Sequence, residues 1–144
     1  THALVATSRV PVETNGTISP SFNVLYGNYY ISVKHRNSIE VWSAAPIYLS
    51  ATQTNYIFYN QASSAYGSNQ VEVAPGKWAL YSGDLNQDGF IDSFDYPTLD
   101  ADIYNGISAA YVATDLNGDG FVDSFDYPIF DANSSIGVSA IAPW

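Results

Sequence analysis

Between Asp84 and Asp126 the sequence sets oxygen-bearing side chains at metal-ligand spacing in two twelve-residue stretches. In the first, Asp84, Asn86, Asp88, Asp92 and Asp95 occupy positions 1, 3, 5, 9 and 12, with Gly89 at position 6. In the second, Asp115, Asn117, Asp119, Asp123 and Asp126 take the same places around Gly120. This spacing suits a hard cation. Calcium takes about six to eight oxygens at roughly 2.3–2.6 Å, and a loop wrapped around it must present a ligand at nearly every second residue. The carbonyl at position 7, Phe90 or Phe121, supplies a further oxygen, and glycine at position 6 permits the sharp reversal. Four carboxylates within twelve residues repel one another unless a cation lies between them. Magnesium demands near-octahedral geometry and retains its waters, so a loop with this many protein oxygens favours calcium, one ion per loop and two in all.

The elements that position these groups follow from a repeat of 31 residues. Asp84–Ile103 and Asp115–Ser134 agree at 14 of 20 positions. A short helix is expected after each loop, with Pro97 and Pro128 in its first turn, where a missing N–H costs nothing.

The doubled loop, with Asp instead of Glu at position 12 and a helix to follow, resembles the type I dockerin repeat from Gly83 to about Ser135. The resemblance implies two loop–helix units packed about a pseudo-two-fold axis, with Ile91 and Val122 pairing between loops. It also implies a protein partner, a cohesin, recognised largely through loop positions 10 and 11. Those positions are Ser93-Phe94 and Ser124-Phe125, and the region holds no Lys or Arg, a departure from the family's small hydroxyl pair with basic residues nearby. More widely, Tyr29–Asn37 (YYISVKHRN) and Pro75–Asp84 (PGKWALYSGD), followed by calcium repeats, are similar to C-terminal modules of secreted Bacteroidota-type surface proteins. That similarity implies an extracellular or cell-surface location.

Charge divides the chain at the same place. The 144 residues carry a net charge of −10, yet residues 1–83 hold Arg9, Lys34, Arg36 and Lys77 against three Glu, and residues 84–144 hold eleven Asp and no base. A break this sharp places a boundary near Ser82 and Gly83, giving units of 1–82 and 83–144. Four scattered cations cannot make a nucleic-acid surface. With no Cys, disulfides, thiolate metal sites and cysteine nucleophiles are excluded, and His2 and His35 are the two nitrogen ligands. Apolar runs fall far short of the roughly 20 residues of a membrane helix, so no membrane insertion is expected. The absence of an initiator Met and of a signal-like stretch at Thr1 suggests a piece cut from a longer precursor.

Within 1–82, apolar residues alternate in short runs rich in Val, Ile, Tyr and Thr: 4–12, 18–25, 29–36, 39–44, 47–50, 56–59, 71–73 and 78–81. Turn formers at Asn15-Gly16, Tyr26-Gly27-Asn28, 66–69 and Pro75-Gly76 separate them. Seven or eight such strands predict an antiparallel β-sandwich, so the fold class is mainly β with a small α part: a sandwich followed by the two-repeat calcium loop–helix unit. Alternation puts His35 on the face of Ile31 and Val33 as a core-edge histidine. No Ser-His-Asp set can be assembled, and Glu13, Glu40 and Glu72 fall on separate runs, so no catalytic residues are assigned. Trp42, Tyr48, Tyr59 and Tyr66 are candidates for stacking on sugars. Asn15-Gly16-Thr17 and Asn133-Ser134-Ser135 match the glycosylation acceptor pattern. The sequence thus reads as a non-catalytic extracellular calcium-binding module that attaches to another protein, with calcium stabilising the fold. The alternatives are a calcium-dependent subunit that assembles with copies of itself into a surface filament or sheet, and a module that binds polysaccharide through exposed aromatics.

Overall fold

The computed structural model describes residues 3–108 and 111–143. Thr1, expected to begin within a strand, and His2, one of the two nitrogen ligands, lie outside the described residues.

Among the described residues there are six short strands in three separate antiparallel pairs, where a sandwich of seven or eight was expected. Strand β1 (Gly27–Tyr29) pairs with β4 (Ile47–Leu49), β2 (Ser32–His35) with β3 (Ser38–Trp42), and β5 (Val71–Ala74) with β6 (Lys77–Ala79). Alternation specifies which face of a strand is apolar but not which strand lies beside it, and here the runs 4–12, 18–25 and 56–59 form no strand. Tyr26-Gly27-Asn28, read as a turn, instead contributes Gly27 and Asn28 to β1. The hairpin β2–β3 keeps the expected pattern: Ser32 and Lys34 are exposed, while Ile31, Val33 and His35 are half-buried. Pro75-Gly76 turns β5 into β6, with Gly76 at φ +68°.

Two helices complete the fold, α1 (Tyr96–Tyr104) and α2 (Tyr127–Ser135), each with proline in its first turn as expected. Each ends in the same way. Gly106 N–H donates to Ile103 O and Ile107 N–H to Asp102 O; Gly137 and Val138 repeat both bonds to Ser134 O and Asn133 O. This is the Schellman arrangement, which needs a left-handed residue just past the helix, and Gly106 and Gly137 supply it at φ +61° and +65°.

The residue delivered by each Schellman turn then pairs with the loop of the other repeat. Ile91 N–H donates to Val138 O, and Val122 N–H donates to Ile107 O, both at 2.9 Å. Ile91 and Val122, expected to pair between loops, share the buried core, but their backbone N–H groups go to the opposite repeat's exit segment. Shifting both partners by 31 residues interconverts the two bonds, which is the pseudo-two-fold relation in hydrogen-bonded form.

Ile91, Leu99, Val122, Phe130 and Val138 make the buried core between the repeats. Ile39 of β3 belongs to the same cluster and is wholly buried. Several polar contacts accompany it: Gly83 N–H donates to Asn37 O (2.6 Å), Ile39 N–H to Tyr81 O, Asn69 Nδ2 to Ser139 O and Asn133 Nδ2 to Ser82 O. Arg36 donates through Nε to Val112 O at 2.9 Å and lays its guanidinium 3.6 Å from the centre of the Tyr111 ring.

Candidate metal centres

In both loops the side chains at positions 3, 5 and 9 accept a hydrogen bond from the backbone two residues on. Asn86, Asp88 and Asp92 receive N–H groups from Asp88, Phe90 and Phe94 at 2.8–3.0 Å. Asn117, Asp119 and Asp123 receive them from Asp119, Phe121 and Phe125 at 2.8–2.9 Å. Short polar side chains stabilise tight turns in this way, so local chemistry coils each loop.

Position 12 fixes the coil. Asp95 begins α1 without capping it; its carboxylate turns back into the loop and is fully buried. Oδ1 accepts from Leu85 N–H (2.7 Å) and Asn86 N–H (3.0 Å), and Oδ2 accepts from Asp92 N–H (3.0 Å). Asp126 makes the same three bonds at 2.7, 3.1 and 2.9 Å with Leu116, Asn117 and Asp123. An Asp has the reach for this grip; Oδ1 spends both lone pairs on it, and Oδ2 retains one beyond these bonds.

Position 1 distinguishes the loops. Asp115 is satisfied through both oxygens, by Gly118 N–H (2.8 Å) and Gly120 N–H (3.0 Å). Asp84 takes only Gly89 N–H on Oδ2 (3.1 Å), and its buried Oδ1 has no hydrogen-bond partner. The loops also differ at position 4, where Gly118 (φ +78°) has its counterpart in the equally left-handed Gln87 (φ +62°), whose side chain donates to Asp84 O (2.6 Å). Burial raises the carboxyl pKa of Asp84 above the usual range against the pull of the Gly89 N–H, and the charges of Asp95 and Asp88 push the same way. A buried carboxylate oxygen without a hydrogen-bond donor, set among like charges, fits the role of a cation ligand.

Phe90 and Phe121 stand at position 7 with exposed rings, and the backbone there runs antiparallel to Ser139 and Ser108 respectively. Among the described residues, no three His, Cys, Asp or Glu groups converge into a closed cage; the carboxylates are spent on backbone N–H donors. All twelve predicted ligand positions nevertheless lie in the two coiled loops.

The remaining candidates are dispersed. His35 is held by Asn37 Oδ1 at Nδ1 (2.8 Å) and by Arg36 at Nε2 (2.9 Å). Trp42 and Tyr48 sit on different sheets, Tyr59 lies under Lys77, and Tyr66 packs edge-on against Tyr30. Asn133, one glycosylation candidate, is buried and bonded to Ser82 O. Sequence reasoning passed over Gln87, Gly106 and Gly137. The first was signalled by being one of the six mismatches in the repeat, and the glycines by recurring at the same 31-residue offset.

A family model, that of the dockerin type I domain, matches residues 82–132. Domains of that family are non-catalytic calcium-binding modules of protein–protein attachment, bind cohesins, and occur in extracellular or cell-surface proteins. No curated protein and no solved structure matches the chain. Among the described residues no helix is long and apolar enough to cross a membrane.

Proposed function

We propose that the chain is a non-catalytic, extracellular or cell-surface attachment module in which residues 83–144 hold two calcium ions and the preceding residues, 1–82, form a unit docked on them. The first ion is assigned to Asp84, Asn86, Asp88, the Phe90 carbonyl, Asp92 and Asp95. The second is assigned to Asp115, Asn117, Asp119, the Phe121 carbonyl, Asp123 and Asp126. The observation that carries this reading is the duplicated frame: two coiled acidic loops, each closed on a buried position-12 carboxylate, one of them with an orphaned carboxylate oxygen. Bound calcium supplies positive charge that relieves the crowding of four carboxylates per loop. The chain's own part is to preset the coil through the side-chain-to-backbone bonds, so that little ordering remains for the ion to drive. Attachment to a protein partner is supported by the 82–132 match and by the exposed Phe94 and Phe125 at position 11. Calorimetric titration of chelator-stripped protein tests the reading: two calcium ions per chain are expected, and no binding at millimolar calcium would overturn it.

A second reading is favoured by one observation. The extended stretch before β1 exposes Leu4 and Leu25, each 85% accessible, and Val5 and Val12. Runs patterned as strands but left unpaired are templates for strand addition, and a second copy that completes the pairing would make the chain an assembly subunit. Light scattering in EGTA and then in millimolar calcium decides this. Large calcium-dependent particles are expected for assembly, and a monomer near 15.6 kDa would exclude it.

A further inference from the structure

The two loops are alike in frame but not in surroundings. Loop 115–126 meets the strands through Val122, in the core shared with Ile39 of β3, whereas loop 84–95 lies against the hairpin β2–β3 through its polar side chains as well. A cavity of about 150 Å³ opens between them, lined by Lys34 and Glu40 from the hairpin and by Asp84, Gln87 and Asp88 from the loop. A water molecule takes roughly 30 Å³ in the liquid, so the space holds an ion with part of its hydration shell. Asp84, with its unpartnered Oδ1, is 2% accessible and is one of the lining residues. Gln87 bridges the two walls, donating to Asp84 O at 2.6 Å and reaching Ser38 O of β3 at 3.5 Å.

We propose that the first calcium site is composite: Glu40 of the hairpin serves as an outer carboxylate for the ion in loop 84–95, so that filling this loop and docking the hairpin are one linked equilibrium. The inference rests on the calcium reading above and extends it to a residue outside the repeats. Glu40 now pairs with Lys34 across 3.6 Å, and the Lys34 side chain is 64% accessible. An exposed ammonium is a loose partner, so a divalent cation in the cavity draws Glu40 toward itself and Lys34 toward solvent. Lys34 thereby opposes calcium, while Glu40 favours it. Among the described residues no ion pair borders loop 115–126, and the two ions therefore bind unequally.

Opposite signs are expected of any charge pair beside a cation; the signature of a composite site is a Glu40→Gln loss that persists at about 0.5 M salt, because through-space effects of exposed charges are screened there. Calcium titration of the full chain, with the Asp126→Ala background isolating the first loop, should show Glu40→Gln weakening that site about tenfold, the scale of outer-shell losses at metal sites. Lys34→Met should tighten it several-fold. The same variants in an Asp95→Ala background should leave the second loop unchanged. Should either background fail to fold, two-site fits to the single variants with both loops intact give the same readout. Two ions bound with Glu40→Gln unchanged, a Glu40→Gln loss that vanishes at that salt concentration, or both variants shifting affinity in one direction, would overturn the composite site alone. A wild-type chain that binds no calcium would overturn both this inference and the function it rests on.

Discussion

The bonds that coil residues 84–95 recur in 115–126 with distances within a few tenths of an ångström, whereas the three strand pairs between residues 27 and 79 have different lengths and registers and share no edges. The repeat region closes on itself: its helices, loops and exit segments satisfy one another. The strand region plants a fully buried side chain, Ile39 of β3, in the repeat core, and its hairpin is tied to the repeats at Asn37, Ser38 and Arg36. The contrast teaches that the acidic region is the organiser here, and that the strands are ordered largely by what they rest on.

Removing calcium should produce the largest effect. At a hundredfold excess over Kd each ion stabilises by about 2.7 kcal/mol, so stripping two with EGTA costs about 5 kcal/mol. Hydrogen exchange then reads the comparison directly: amides of β2–β3 should lose protection together with those of the loops. A hairpin that stays protected while the loops exchange would break it.

Next comes Asp95→Ala, which leaves three N–H groups without their acceptor and should cost about 4 kcal/mol in urea unfolding. Asp126→Ala should cost the same within experimental scatter, and a large inequality would mean that the repeats are equivalent in geometry only. Ile39→Ala should cost about 3 kcal/mol, the usual toll of emptying a buried aliphatic site, and should lower the melting temperature of the whole chain in one transition. Two separate transitions would show the strand region standing on its own.

The smallest and most local effects are at Gly83 and its counterpart Thr114. Gly83 sits at φ +127°, and a Cβ there would lie 2.7 Å from Ile91 Cγ2, so a loss of about 2 kcal/mol is expected for Gly83→Ala. The equivalent Thr114 tolerates a side chain and sends its hydroxyl to Asp102 (2.6 Å), so Thr114→Gly should cost only about 1 kcal/mol, measured in the same way.

The legibility of the sequence follows the same divide. Helix starts and the repeat are local properties, and the turns that coil the two loops are built from side-chain bonds to the backbone two residues on, which is why they follow the sequence directly. Strand pairing is non-local: Leu4–Val12 alternates as well as Ser32–His35 does, yet the second has Ser38–Trp42 immediately after a turn to pair with and the first has no ladder. Ile91 and Val122, which the dockerin resemblance pairs between loops, share the buried core, but their backbone N–H groups go to the opposite exit segments. The Schellman glycines decided it, since they bring Ile107 and Val138 round to the opposite loops.

That crossed arrangement has a consequence for the order in which the protein is made. Ile91 N–H finds its carbonyl at Val138, and Gly89 O receives its N–H from Ala140, so the first loop, although coiled by its own local bonds, is not tied down until residues through Ala140 have left the ribosome. At roughly 5–20 residues per second the wait is on the order of seconds. Chains stalled short of Val138 should remain sensitive to protease across both repeats, as stalled-ribosome proteolysis would show. Translation of the second exit segment thus acts as a latch on work begun fifty or so residues earlier, and the two repeats lock together instead of one after the other.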